Sequence, residues 1–363
     1  MAGERQLPGA KRTARIASRA GALALFSVLI GLIGGSHAWA GVGLSFPRPA
    51  SVEPNVQFWV DVFTAYSVRD FIVHDRGQVW KIYQVLQLPG EGAPTREESD
   101  GVNAYLRAKY SDMLTRLATG HQPDTYEERK VAELFRGQPL SAYAEAAQDL
   151  RVQEGLRERF KEGLLRSRYY WPSMERVFRA AGLPPELVTL ATVESGFYQC
   201  ARSSAGAVGI WQFTRATGRQ YLTISSHVDE RLNPSRETEA AAKLLRHNYE
   251  VLGDWPLAIT AYNYGTEGMA RAADEYDGDY SRIFQRYSGP HFGFASKNYY
   301  AEFLAALQVH RYEKEYFPGI ENEEAPPPQT VSDRLPTRPV HKRARLHHIS
   351  THARRHRAPT RKV

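Results

Sequence analysis

Apolar residues recur every three or four positions through most of this chain, the interval that lines one face of a helix, and strict alternation is rare. In "VQFWVDVFTAYSVRDFIVHD" (residues 56–75) and "QVWKIYQVL" (78–86) aromatic and aliphatic side chains fall at that spacing and predict core-facing helices, although their Val, Ile and Tyr content also suits strand. The turn-rich "LPGEGAPTREESDG" interrupts the pattern. "AYLRAKYSDMLTRLATG", "TYEERKVAELFRG" and "AAQDLRVQEGLRERFKEGLLRSRYYWPSMERVFRAAG" then resume it, with charges between Leu and Phe positions as on solvated helix faces. From Gly182 to about Tyr316 the chain still reads as helices, cut by "LPPEL", "ESGF", "VDERLNPSRET", "VLGDW", "AYNYG" and "YSGPHFG". The segment "RETEAAAKLLRHNYEVLG" is marked at both ends, by Ser235 as its cap and Gly253 as its stop. The fold class is mainly α.

Both ends of the chain depart from that pattern. Residues 1–40 have a basic stretch to Arg19, the apolar run "GALALFSVLIGLIGG" and then "AWA", the layout of an export signal cleaved before Gly41. An uncleaved membrane anchor is the alternative, but the apolar run is short for a bilayer, and no cysteine follows it to carry a lipid. Residues 41–54 read as a Pro-rich linker, 55–165 as an N-terminal helical region, 166–318 as a second helical domain, and 319–363 as a disordered Pro-rich basic tail. The formal net charge of +7 is unevenly spread: the first 40 residues carry +4, the last 33 carry +9, and the middle is therefore acidic, at −6. A single cysteine, Cys200, excludes an internal disulfide and any Cys-rich metal pattern, and it reads as a small buried hydrophobe.

The stretch "LVTLATVESGFYQC" (187–200) concentrates the chemistry. Pro184 and Pro185 suit the first turn of a helix. Leu187, Leu190, Ala191 and Glu194 then share one face, and Gly196 fits the left-handed residue that ends a helix. A carboxyl held at a helix end beside apolar packing has its pKa raised, which is what a general acid for glycosidic cleavage needs. Taken alone, a Glu at such a place is more often a solvated or ion-paired residue.

"ESGFYQCARSSAGAVGIWQF", then "AYNYG", then "KNYYAEFLAAL" together resemble the lytic transglycosylases of bacterial cell walls, in the membrane-bound D type, over about residues 151–307. The resemblance implies a lysozyme-like SLT catalytic domain at 166–318, preceded by a helical region. It implies Glu194 as the catalytic acid, and Ser195, Ser203, Gln212, Tyr262, Asn263 and Tyr299 as residues at the substrate; Trp211 is added to them as a flat apolar surface for a sugar ring. By it, Glu194 would protonate the oxygen between MurNAc and GlcNAc, and the MurNAc C6 hydroxyl would close a 1,6-anhydro ring without water.

The residues by themselves leave alternatives open. Trp211 and Phe213 suit either the core or a flat surface for a sugar ring. Gln212 and Asn263 suit helix caps or neutral donors to an amino sugar. Tyr262 and Tyr299 suit the core as well as a site, and Ser203 and Ser204 sit in a turn where Ser and Gly are expected for backbone reasons. Most glycosidases use two carboxylates, and no second acid stands out: Asp229, Glu230, Asp254 and Glu267 read as turn residues at the surface. The glycine run lacks the Lys of a phosphate loop.

The D type usually carries peptidoglycan-binding repeats after its catalytic domain, where this chain has only its tail. Ten Lys or Arg and five His in 33 residues would be drawn to anionic envelope polymers, or the tail is merely solubilising. Export argues against nucleic acid, and no metal or other cofactor is expected. The partner is peptidoglycan glycan strands, the location the periplasm of a Gram-negative bacterium, and membrane contact follows only if the signal stays uncleaved. Muramidase hydrolysis and a non-catalytic glycan-binding role are the rival readings.

Overall fold

The computed structural model describes residues 46–328, so the expected export signal and most of the basic tail lie outside the described residues. Helix α1 (Glu53–Thr64) opens the fold and buries Val56, Phe58, Trp59, Val62 and Phe63. A three-stranded antiparallel sheet follows, in the order β2-β1-β3, with β1 (Asp70–Asp75) between β2 (Ile82–Gln87) and β3 (Leu150–Glu154). Ile72 of β1 pairs with Val85 on one side and Gln153 on the other.

Residues 56–64 are helical as expected, but β1 and β2 take the strand alternative in the rest of 56–75 and in 78–86, and β3 interrupts the helical stretch from Ala146. The physical reason is burial on both faces. All six residues of "DFIVHD" are buried, so the segment has no polar side from which a period can be read, and a short two-sided apolar run fits a central strand. Phe71 and Val73 point to a small core made with α2 (Arg96–Ala118), α3 (Tyr126–Glu133) and α4 (Ser141–Gln148), through Tyr110, Leu114, Val131 and Phe135. Ile72 points the opposite way, into the main core, as the pleat requires.

Helix α5 (Arg157–Ala180) then crosses the boundary expected at 165/166 without a break. Its Phe160 stacks on Phe63 of α1 with ring centroids 4.5 Å apart, while its Phe178 stacks on Trp211 at 5.5 Å. One continuous core therefore joins the N-terminal helix to the rest of the chain. The supposed linker is part of it as well. Phe46 packs on Phe303, and the Pro47 carbonyl accepts the Tyr300 hydroxyl at 2.6 Å. At the other end the fold runs past 319: Ile320 is buried, and the carbonyls of Glu323 and Ala325 accept Arg168 and Tyr169.

The second half is helical: α6 (Leu190–Ser195), the short α7 (Arg215–Gly218), α8 (Pro234–Leu252), α9 (Trp255–Tyr264), α10 (Thr266–Glu275), α11 (Tyr280–Arg286) and α12 (Phe294–Arg311). The cap of α8 is Asn233, not Ser235: Pro234 takes the first helical position, and the Asn233 side chain accepts the N–H groups of Ser235 and Arg236. Gly253 ends that helix in the left-handed conformation, as expected. Cys200 is half-buried and not a core residue. Helix α12 is the central strut, burying residues from Phe294 to Val309 and packing along α1.

A shared core has a measurable consequence. Replacing Phe160 by Ala should cost about 3–5 kcal/mol, and denaturant unfolding followed at both halves of the chain should show one transition moved to lower denaturant. Two separate transitions would mean that the halves fold as independent units.

Candidate active site

Glu194 reaches its place by local rules. Residues Pro185–Thr189 form a 3₁₀ turn that runs into α6, burying Leu187, Leu190 and Ala191 and leaving Glu194, in the last turn, half-buried. Gly196 then reverses the chain at φ 56°, a conformation that side chains resist. It is also pressed against α5: a Cβ on Gly163 would meet the Gly196 Cα at 3.1 Å. The Gly196 carbonyl accepts Arg166 Nε at 2.7 Å. Thr192, two residues before Glu194, is joined to His310 Nε2 of α12 at 2.6 Å. Burial pushes the His310 imidazole down to about 3, so the Thr192 hydroxyl is paired with a neutral ring.

The Tyr299 hydroxyl, on α12, donates to Glu194 Oε1. Burial pushes the Glu194 carboxyl up to about 7, and the Tyr299 bond pulls against it by stabilising the ionised form. Tyr262 lies parallel to Tyr299, ring centroids 6.4 Å apart, and its hydroxyl donates to the Trp211 carbonyl at 2.8 Å. Burial and the Glu194 charge hold both phenols far above their ordinary range, so they remain donors at any working pH.

The loop 209–213 ties these groups together. Glu237 of α8 accepts the N–H groups of Ile210 and Trp211, both at 3.1 Å, and Ser195 donates its hydroxyl to the Ile210 carbonyl at 2.7 Å. Gly209 has no room for a side chain, since a Cβ there would lie 2.0 Å from the Arg231 carbonyl. Gln212 sits at φ 50°, a strained conformation, with its amide donating to the Gly209 carbonyl at 2.8 Å.

Each expected residue can now be placed. Glu194, Tyr299 and Tyr262 come together. Asn263 is exposed, its Oδ1 accepting the Ser296 hydroxyl at 2.8 Å. Gln212 is partly accessible. Ser195 is committed to the backbone, and Ser203 lies in an exposed turn where its hydroxyl accepts the Ala207 N–H at 3.0 Å. Trp211 is a correction. It is fully buried, stacked on Phe178, with its indole N–H on Thr238 at 3.0 Å, so it is a core residue and offers no face to a sugar. An open cleft of about 570 Å³ adjoins the site, lined by Tyr221, His247, Tyr262, Asn263, Tyr264 and His291 among others. Glu194 is not in that lining; Tyr262 joins the cleft to it. The volume and the mix of flat rings with amides suit a sugar chain.

A second acid is present after all. Glu302, one turn beyond Tyr299 on α12, is pushed up to about 8 by burial first and by the Glu194 charge second, with Arg151 opposing. Its i, i+3 spacing from Tyr299 was the available signal. Asp229 is taken by Arg231 at 2.7 Å, and Glu230 by the Thr223 N–H at 2.7 Å. Among the described residues, His121, Asp124 and Glu128 bring possible metal-ligand atoms within 4.8 Å of one another. Glu128, however, already holds Arg116 at 2.9 Å and caps a helix, so the group is a structural knot.

Residues 177–283 match the Transglycosylase SLT domain, and the chain carries that domain on its mainly α, lysozyme-like fold. It is 38% identical over 105 residues to membrane-bound lytic murein transglycosylase D of Escherichia coli (strain K12), a match covering 28% of this chain and 23% of that protein. The protein of the same name in Escherichia coli O6:H1 matches to the same extent. The chain thus spans less than a quarter of the length of these relatives.

The raised carboxyl has a stability signature. An unfolded Glu ionises near 4.5 and Glu194 in the fold near 7. Between those values only the unfolded chain has lost its proton, so Glu194 makes stability fall as pH rises from about 4.5 to about 7. Glu194→Gln should therefore melt higher than the wild type at pH 8, with the gain vanishing at pH 4; an equal gain at both pH values would mean that Glu194 ionises normally in the fold.

Proposed function

We propose that the chain is a peptidoglycan lytic transglycosylase that cuts the β-1,4 bond between MurNAc and GlcNAc, with Glu194 as its single general acid and base. The observation that carries this reading is a carboxyl raised to about 7, so that a large share of it is still protonated near neutral pH, held by a tyrosine hydroxyl beside an open cleft. The SLT match and the name of the murein transglycosylase relatives support the same chemistry.

Glu194 gives its proton to the bridging oxygen as the bond from MurNAc C1 breaks, and the substrate's N-acetyl oxygen bonds to C1 in its place. The Glu194 carboxylate, now stabilised by the Tyr299 hydroxyl, takes the proton of the C6 hydroxyl. O6 attacks C1, the N-acetyl oxygen leaves, and a 1,6-anhydro ring forms without consuming water. Hydrolysis would need a carboxylate base for water. Glu302 is the available group, but near neutral pH it keeps its own proton. Gln212 and Asn263 supply uncharged polar contacts along the strand, and Tyr262 provides a flat wall beside the acid.

By the same reading the enzyme works in the cell envelope, exported to the periplasm of a Gram-negative bacterium and drawn to anionic envelope polymers by its basic tail. No nucleic acid or cofactor takes part, and membrane contact arises only if the signal stays uncleaved. No helix among the described residues is long and apolar enough to cross a membrane.

Mass spectrometry of sugars released from peptidoglycan tests the reaction. Anhydro-muropeptides from the wild type and none from Glu194→Gln are expected; reducing-end muropeptides would assign hydrolysis, and intact strands bound by both proteins would assign a binding role. Because Glu194 must start protonated, kcat should fall as pH rises through about 7. Tyr299→Phe removes the bond that holds that pKa down, so the falling limb should move to higher pH while kcat drops roughly tenfold or more. A limb that does not move would take Tyr299 off the acid.

A further inference from the structure

The N-terminal sheet brings cations to the flank of this site. Arg76 follows β1, Arg107 lies on α2, Arg151 lies on β3, and all gather where the chain enters β3. The Arg76 N–H donates to the Asp149 carbonyl at 2.8 Å, and Arg107 Nη1 donates to the Leu150 carbonyl at 3.3 Å. The Arg151 guanidinium lies 3.9 Å over the ring of Phe294, the first residue of α12. Burial and the charges of Arg107 and Arg76 press down on its ionised form. From α12 itself comes Lys297, whose ammonium rests over the Phe284 ring at 5.4 Å.

Charge is poorly balanced here. Two carboxylates face the group: Asp149 toward Lys297 and Glu302 toward Arg151, and Glu302 is pushed up to about 8 and so is neutral near pH 7. Among the described residues, none of Arg76, Arg107, Arg151 and Lys297 has a carboxylate oxygen within 4.0 Å. Arg151 Nε is buried without a hydrogen-bond partner. Gathering cations without counter-ions is costly unless an anion completes the group.

The position is next to the proposed cleft. Gly293 lies against the Arg76 guanidinium, and His291, two residues earlier, lines the cleft. Ser296, beside Lys297, holds Asn263. Uncharged sugar rings have no use for such a group, whereas carboxylates do, since the planar guanidinium fork matches a carboxylate in shape and charge.

We propose that Arg76, Arg107, Arg151 and Lys297 form a subsite for the carboxylates of the peptide stems that branch from the glycan, so that the N-terminal sheet selects stem-bearing strands for the cleft. The proposal rests on the peptidoglycan reading above and deepens it.

Full-length protein tests it in two ways. Calorimetry with a free acidic stem peptide needs no turnover. The Arg76→Ser/Arg107→Ser double variant should bind about tenfold more weakly than the wild type, while Arg129→Ser/Lys130→Ser on α3, with the same charge loss, should bind as the wild type does. A stem peptide with its carboxylates amidated should bind no protein better than the double variant binds the acid form. Equal binding by wild type and double variant, or equal weakening in the α3 variant, overturns the subsite. Turnover is read second, as the ratio of kcat/KM on stem-bearing strands to that on strands stripped of stems. That ratio should fall about tenfold in the double variant, through KM, and shrink with added salt in the wild type. Stem binding with no anhydro product would overturn the assigned chemistry and leave the subsite standing; inorganic phosphate binding more tightly than the stem would overturn the carboxylate assignment.

Discussion

The Glu237 carboxylate accepts two adjacent N–H groups, those of Ile210 and Trp211, and almost everything in the site hangs from the loop it holds. Burial pushes the Glu237 carboxyl well above its ordinary range while the two N–H groups pull it back; such hydrogen bonds, worth about 0.5–1.5 kcal/mol each, fix a segment that includes a strained residue, Gln212, and a glycine with no room for a side chain. The Ile210 carbonyl shares a peptide with the Trp211 N–H, so it faces away from Glu237 and takes the Ser195 hydroxyl beside the acid; the next carbonyl along, that of Trp211, takes the Tyr262 hydroxyl beside the cleft. Trp211 locks the arrangement from below by filling the core against Phe178. A buried acid on α8 thus sets the geometry of groups on α6 and α9 without touching a substrate.

The acid itself is held at a cost. Burial opposes ionisation of Glu194, and a single phenol hydroxyl partly offsets it, leaving the group poised where proton donation and proton acceptance are both accessible near neutral pH. On the proposed reading, the fold accepts a carboxyl that weakens it above about pH 4.5 because that carboxyl serves as the acid, a trade between stability and activity. Glu302 adds to this by bringing a second buried acid to the same helix, and the two charges disfavour one another. Hydrolysis would call for one protonated carboxyl and one ionised carboxylate, and Glu302, pushed up to about 8, is mostly protonated at pH 7 and does not supply that carboxylate.

The sheet at the N-terminal side changes what the helical half can be. It is continuous with the main core through Ile72 and α1, and it sets Arg76, Arg107 and Arg151 beside the start of α12. The same helix then carries Lys297, Tyr299 and Glu302 past the acid. Position along one rigid strut therefore relates the charge on the sheet to the chemistry in the cleft.

What the sequence determined by itself is local. The spacing of Leu187, Leu190, Ala191 and Glu194, the prolines before them and the glycine after them dictate a short helix that turns a carboxyl toward an edge, because helix faces and left-handed stops are properties of near neighbours. The resemblance to cell-wall transglycosylases named Tyr299 and Tyr262 as well, but the residues alone left both open between core and site. Only the tertiary structure decided the rest. Tyr299 reaches Glu194 across 105 residues, Glu302 matters only because α12 brings it there, and Trp211 is core because Phe178 covers it. The strand at 70–75 was hidden for the same reason, since a segment buried on both faces has no polar side to reveal its period. Burial and charge proximity are set by what packs against a residue, and distant segments of the chain supply that.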